Sequence, residues 1–429
     1  MIKTSFYAAA MSSSFLTDRC NNRIGCVILM PRFRMSKIGP YIIIALVVDG
    51  FVFARPRSAA AEQWLLEPVM QQQLKYDDNL LLSPGGNSAY GSISTPEIKL
   101  SRLGDQLQLV LDGQFRFSRY FNRSEFNSDD QFLYFNGTYL NSERSTFHLD
   151  ANFKHDTSLN SDLNDSGKFL GKKIRVTSWN ITPSWEYLLS ELDTLDLAAG
   201  YNQVDYSSNQ LTSYKNYFAS STFIHQISEI SDVTATLDYQ RFEPDDEENI
   251  NTNTVGFLVG YRYHPTERLE IGAGVGANYT AAENSGNNDV GYRIKFNGKY
   301  QLNDQTNLTA DFSHDREPSS DGVLVTRNRV KASASYRLDP LVTLSVSGTY
   351  YDNSDPLSVS GSSNNNNQEE DVQSYAFGPS IAWQFSQSWS LVGNYTYRHK
   401  VSGDDHEKAH SNAVFVTLKY SPVGFSWSE

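Results

Sequence analysis

The sequence predicts an all-β protein, a transmembrane, antiparallel, up-and-down β-barrel of about 18 strands. Three observations predict it. Short stretches of alternating apolar and polar residues fill the chain from Trp64 to Tyr420. The connections between them are alternately long and short, and one apolar segment stands apart near the N-terminus. The alternation is cleanest from Tyr292 to Leu302, where Tyr292, Ile294, Phe296, Tyr300 and Leu302 share one parity and Arg293, Lys295, Asn297, Lys299 and Gln301 the other. Strand side chains have a period of two, so such a segment has one apolar and one wet face. A soluble sandwich would turn the wet face outward. A membrane barrel turns it inward, to a watery lumen, and gives the apolar face to lipid.

The N-terminal segment reads as an export signal. Tyr41 to Val48 is apolar, the run resumes from Phe51 to Ala54, Lys37 precedes it, and Ser58, Ala59, Ala60 and Ala61 follow. Basic flank, short apolar core and small-residue site describe a signal peptide cleaved after Ala61. A permanent anchor would need about 20 apolar residues, and Asp49 and Gly50 interrupt this run early. Residues 1–61 are therefore expected to be a removed extension and signal peptide, with Met35 a possible true start, and residues 62–429 the barrel. Cys20 and Cys26, the two cysteines, fall in the removed part, so the exported chain must be stable without disulfides. A closed sheet meets that need. The net charge of −13 gives no footprint for nucleic acid.

Short connections are expected near Gly104, Ser142, Glu191, Ser228, Thr266, Asp304, Asp339 and Gln387. Longer ones, rich in Asn, Ser, Gly and Asp, lie between them, as at Asn79 to Ala89, Thr157 to Lys172 and Ser354 to Gln368. These residue types turn and solvate a chain. An even strand number, with short turns at one end and long loops at the other, is the pattern of an outer-membrane barrel of a Gram-negative bacterium. A solenoid or propeller would repeat a motif as well as a pattern, and no motif repeats. Trp179, Trp185, Tyr187, Tyr201, Tyr261, Tyr263, Trp383, Phe385, Trp389, Tyr395 and Tyr397 lie near strand ends, where membrane barrels carry aromatic girdles. A general preference of aromatic residues for strands would place them similarly.

Two segments carry a family resemblance. Tyr76-Asp77-Asp78-Asn79-Leu80, followed by a turn and then Pro96-Glu97-Ile98-Lys99-Leu100, resembles the opening of the β-barrel porin 2 family, which includes outer-membrane barrels associated with exopolysaccharide and exosortase systems. The resemblance implies an outer-membrane barrel and does not settle a cargo. The tail departs from the usual barrel ending: Val414, Val416, Leu418 and Tyr420 alternate as a last strand should, yet Ser421 to Glu429 continues. The terminal aromatic is therefore Tyr420, Phe425 or Trp427.

With apolar residues facing lipid, the other parity gives the lumen inventory. One strand points Arg293, Lys295, Asn297, Lys299 and Gln301 inward, and another Arg327, Arg329, Lys331, Ser333, Ser335 and Arg337. The strand between offers Thr309, Asp311, Ser313 and Asp315. Two basic ladders flanking an acidic one either neutralise each other through pairs such as Arg329 with Asp311, or present a stripe that attracts anions. Gly272, Gly274 and Gly276 also point inward. They lack the Lys-Ser/Thr of a phosphate loop and read as room for a plug or cargo, or as sheet curvature.

Enzymatic signals are weak, and no enzyme is expected. His155-Asp156 and His314-Asp315 are adjacent, so a strand sends their side chains to opposite faces. No G-x-S-x-G, H-E-x-x-H or exported C-x-x-C occurs. His406 and His410 with Asp404, Asp405 and Glu407 read as a solvated loop, and no cofactor or metal is expected. The acidic runs Asp245 to Glu248 and Glu369 to Asp371 suit either solubility or divalent ions bridging lipopolysaccharide. The sequence thus leads to a passive channel for anionic solutes or polysaccharide. Its expected partners are outer-membrane lipid, lipopolysaccharide and the barrel-assembly machinery. The alternatives are a non-conducting sleeve for envelope proteins and, less favoured, a rim hydrolase.

Overall fold

The computed structural model describes residues 62–159, 172–246, 250–283, 288–356, 372–402 and 407–428. The expected signal peptide, the Asn364 to Asn367 run, Glu369 to Asp371 and Asp404 to His406 lie outside these residues.

The first six strands are β1 (Gln63–Asp77), β2 (Ala89–Leu103), β3 (Leu107–Tyr120), β4 (Ser128–Ser142), β5 (Ser145–Thr157) and β6 (Arg175–Leu188). Next come β7 (Asp193–Tyr206), β8 (Tyr214–Ser228), β9 (Ser231–Pro244), β10 (Thr252–Thr266), β11 (Leu269–Ala282) and β12 (Asn288–Asn303). The circuit continues with β13 (Thr306–Pro318), β14 (Leu324–Arg337), β15 (Val342–Pro356), β16 (Val372–Trp383), β17 (Trp389–Ser402) and β18 (Glu407–Tyr420). A four-residue β19 (Phe425–Ser428) follows. Each of β1 to β18 pairs antiparallel with its neighbours in that series, and β1 also pairs with β18, so the sheet closes on itself as an 18-stranded barrel. Closure satisfies every strand edge, which is what a strand-built membrane crossing requires.

The connections fall as the composition predicts. The β4–β5, β8–β9, β10–β11 and β12–β13 turns each leave two residues between strands. Side chains fix them: the Asn303 Oδ1 accepts from the Gln305 amide at 2.9 Å, and the Ser228 and Ser231 hydroxyls meet at 2.6 Å. Longer connections occupy the other rim, for example between β1 and β2 and between β7 and β8. In barrels of this build the short turns are periplasmic and the long loops extracellular.

The register assigns the faces, because cross-strand partners share one. Leu74, Ile98, Leu237, Phe257, Val275, Val290, Phe296 and Val414 are all exposed on the outer face. At the short-turn rim Trp64 stacks on Trp427, Phe147 on Trp185, and Trp389 lies against Tyr420. Towards the loop rim Tyr201 and Tyr239 turn their hydroxyls to Gln203 and Asn253, and mid-strand Tyr395 turns its own to Asn412. Apolar belt, aromatic rims and polar tips are the arrangement of a bilayer-spanning wall.

The seam between first and last strands explains the segment that carries the resemblance. Asp77 is fully buried and binds Lys75 at 3.3 Å, Arg398 of β17, the Ser411 hydroxyl at 2.7 Å and the Asn79 amide at 3.1 Å. Asp78 accepts from both the backbone and side-chain nitrogens of Asn412 at 2.7 Å, and Asn79 donates to the His410 carbonyl at 2.9 Å. Tyr76 to Leu80 therefore ties the strand that opens the barrel to the one that closes it. At the opposite rim β19 resumes pairing with Gln63 to Leu66 after a break at residues 421–424. Trp427, stacked on Trp64 with ring centroids 6.1 Å apart, is the aromatic that ends the wall.

Candidate functional site: the inner wall of β9 to β14

Rows of cross-strand partners build this wall. Lys295 faces Ser313, which faces Arg329; Asn297 faces Asp311, which faces Lys331; Asp315 faces Arg327. Arg293 lies opposite Gly276 on β11, and Lys299 opposite Glu270. These side chains share the face opposite to Phe296, so the register brings both sequence-predicted basic rows to the lumen side.

Position along the axis separates them into two kinds. Arg293, near the loop rim, has a side chain only 8% exposed and donates to Asp238 at 2.5 Å and Asp315 at 2.8 Å. Arg327, 5% exposed, is held by Glu317 and by Asn353 at 2.6 Å. Arg329 reaches Glu317 at 3.9 Å. The sequence-based pairing of Arg329 with Asp311 is thus corrected: Asp311 sits one row nearer the short turns, opposite Lys331, and Glu317 is the carboxylate in reach. Towards the short turns the charges are open. Lys295 is 49% exposed beside Asp315, and Lys299 is 68% exposed, 3.6 Å from Glu270. Among the described residues no ion pair within 4.0 Å engages Lys331, Arg337 or Asp311, and all three are exposed.

The inward glycines sit in closely packed parts of the wall. A β-carbon on Gly272 would collide with Asn297, and one on Gly274 would press Leu258 Cδ2 at 3.3 Å. At Gly276 the close neighbour is the β10 backbone, with the Phe257 carbonyl where a β-carbon would stand.

Alternation alone could have found further inner-face residues, since they share the parity: Arg262, 42% exposed, with Asp232 at 3.5 Å, and Asp238. The reach of Arg293 to Asp238, three strands away, needs the register. On the opposite arc the inner face is acidic and amide-rich, with Asp112, Tyr134, Asn136, Asp150, Asn152 and Asp196 in register positions facing the lumen. His314 and Asp315 do point to opposite faces. His314 stacks on Tyr292 and binds Asn328 at 2.6 Å outside, while Asp315 binds Arg293 inside.

Loops fold over the extracellular rim. Phe242, Ala282 and Leu324 form a buried cluster with Tyr214 and Ile250, and Leu80, Ala89 and Phe126 form another with Leu81, Tyr120 and Leu159. The Thr212 amide donates to the Ser320 carbonyl at 2.8 Å, joining the β7–β8 and β13–β14 loops although β8 to β13 lie between them. Gly322 makes the second of these loops possible: its φ of 81° is a left-handed conformation that glycine adopts freely. Lys173 donates to the Asn127 carbonyl at 2.7 Å, and burial, then the nearby Arg175, lower its ammonium pKa from the ordinary value.

A closed antiparallel barrel with an apolar, aromatic-rimmed exterior and a charged interior defines the class: this is an outer-membrane β-barrel of the porin kind. The chain belongs to the family described as "Putative MetA-pathway of phenol degradation", whose profile matches residues 192–415, just over half of the sequence. That match lies outside both segments that resemble the β-barrel porin 2 family. No characterised protein sequence matches the chain at significance. Among solved structures, the chain is similar to Pseudomonas aeruginosa OccK2 (OpdF) in complex with glucuronate, with 10% identity, TM-score 0.44, and coverage of 84% of this chain and 98% of that one. It is also similar to Acinetobacter baumannii OccAB3, with 8% identity, TM-score 0.44, and coverage of 85% and 99%. A third is the siderophore receptor PirA from Pseudomonas aeruginosa, with 10% identity, TM-score 0.43, and coverage of 83% and 80%.

Proposed function

We propose that this barrel is a passive channel for anionic solutes, and that the open cations Lys295, Lys299, Lys331 and Arg337 carry its preference. The supporting observation is their exposure on one arc of the inner face, beside arginines already neutralised by carboxylates. Charges held on a narrow wall act more strongly on a passing ion than charges in bulk water, so a local stripe can outweigh an acidic whole. Export of an acidic polysaccharide is a finer form of this reading and rests on the resemblance of Tyr76–Leu80 and Pro96–Leu100. In either form residues 1–61 are removed, and the protein resides among outer-membrane lipid and lipopolysaccharide after delivery to the assembly machinery.

The test is purified barrel in a planar bilayer under a salt gradient. The expected reversal potential favours chloride over potassium, and replacing Lys295, Lys299 and Lys331 with Glu should invert it. Cation selectivity in the unaltered protein would remove the anionic cargo. A second reading, a non-conducting sleeve, is favoured by one observation, the roofed rim with its Thr212–Ser320 bridge. Absence of conductance in a folded, heat-resistant barrel would select it.

A further inference from the structure

We infer that Gly256 sets the ion preference of the lumen by giving Arg293 a place to lie flat against the wall; this rests on the channel reading above. Arg293 stands on β12, and its partner Asp238 on β9. Neighbouring strands are about 4.8 Å apart, so the ion pair bridges roughly 14 Å of sheet, a span that an extended arginine and an aspartate can cover only by running along the surface. Two strands lie beneath that path, and each carries a glycine there: Gly276 of β11, the register partner of Arg293, and Gly256 of β10, the register partner of Asp238. A β-carbon at Gly256 would occupy the space of the Arg293 Nη1 and of the Asp238 carboxylate at once. The guanidinium ends sandwiched between Asp238 at 2.5 Å and Asp315 at 2.8 Å, 8% exposed, and so contributes little to what a solute meets.

A side chain at position 256 has to displace the guanidinium end, the Asp238 carboxylate or both, and so opens the pair that holds Arg293 against the wall. The guanidinium would then project towards the axis near Lys295, while Asp238 stays at the wall three strands further on. Gly256 is a positioning residue in this scheme, acting through Arg293 rather than on the solute. The arrangement gives the wall a stowed cation beside open ones, and a single methyl group decides which it is.

The experiment compares unaltered barrel with Gly256→Ala and Asp238→Asn, the second keeping the glycine while removing the anchor. Arg293 modification by p-hydroxyphenylglyoxal in detergent is read by mass spectrometry, and reversal potential in a bilayer. In both variants Arg293 should become severalfold more reactive, and the reversal potential should move towards the chloride equilibrium value. Adding Arg293→Gln to Gly256→Ala should return the potential to that of Arg293→Gln alone. Equal Arg293 reactivity in the unaltered protein and both variants would overturn the stowage. Raised reactivity with an unmoved potential would overturn the link to selectivity. A barrel that never conducts sinks the channel reading and with it the selectivity role, while the labelling still decides whether Gly256 stows the cation.

Discussion

The loop-rim half and the short-turn half of the basic strands have similar residues and opposite behaviour. On β12 Arg293 is buried between two carboxylates, while Lys299, six residues on, stands open. On β14 Arg327 is held by Glu317 and Asn353, while Lys331 and Arg337 are exposed. The same holds at the seam, where Asp77, Lys75 and Arg398 are locked together near the loop rim. Membership of a ladder therefore says little about availability. The loop-rim charges brace the wall, because removing one partner strands the other in a buried setting. The short-turn charges are held by little and are free to act on a solute.

The largest test of this contrast is Asp77→Ala. It leaves Arg398 and Lys75 unpaired, so about 3–5 kcal/mol of stability should be lost, read as a lower unfolding midpoint and loss of heat-modifiable migration in detergent gels. A barrel as resistant as the original would show that the loop rim is not a brace. Next is Phe296→Arg, which tests the face assignment beneath the whole comparison. An arginine near the bilayer midplane should cost about 2–4 kcal/mol, whereas Lys295→Glu on the adjacent inner position should fold normally. Equal damage from the two would mean that the faces are reversed.

A smaller effect separates two members of one strand. Arg327→Gln should destabilise the barrel, by about 1–3 kcal/mol for the charge-assisted bonds to Glu317 and Asn353 that it removes, and leave ion preference nearly unchanged. Lys331→Gln should do the opposite, with a stability change under about 0.5 kcal/mol and a measurable move of the reversal potential towards potassium. Identical profiles for the two would erase the distinction. The smallest expected effect is Lys299→Gln. Its contact with Glu270 is exposed and worth at most about 1 kcal/mol, so the denaturation midpoint should hardly move and single-channel conductance should carry the change.

The sequence by itself determined the barrel, its strand number and its faces. A period of two is a local property, so Tyr292 to Leu302 announces a two-faced strand without reference to any neighbour. Turn chemistry is local as well, and Asn303 and Ser228 mark their connections by side chains that accept from the nearby backbone amides of Gln305 and Ile230. What the tertiary structure decided was the pairing of charges. Arg329 meets Glu317 rather than Asp311 because strand stagger sets which carboxylate comes within reach. Arg293 finds Asp238 across two intervening strands because glycines happen to lie under its path. Tyr76 to Leu80 could be recognised from its residues, but its work of tying β1 to β17 and β18 depends on groups more than 300 positions away. Local periodicity fixes the direction in which a side chain points. Only ring closure and register, which are global, fix what it meets there.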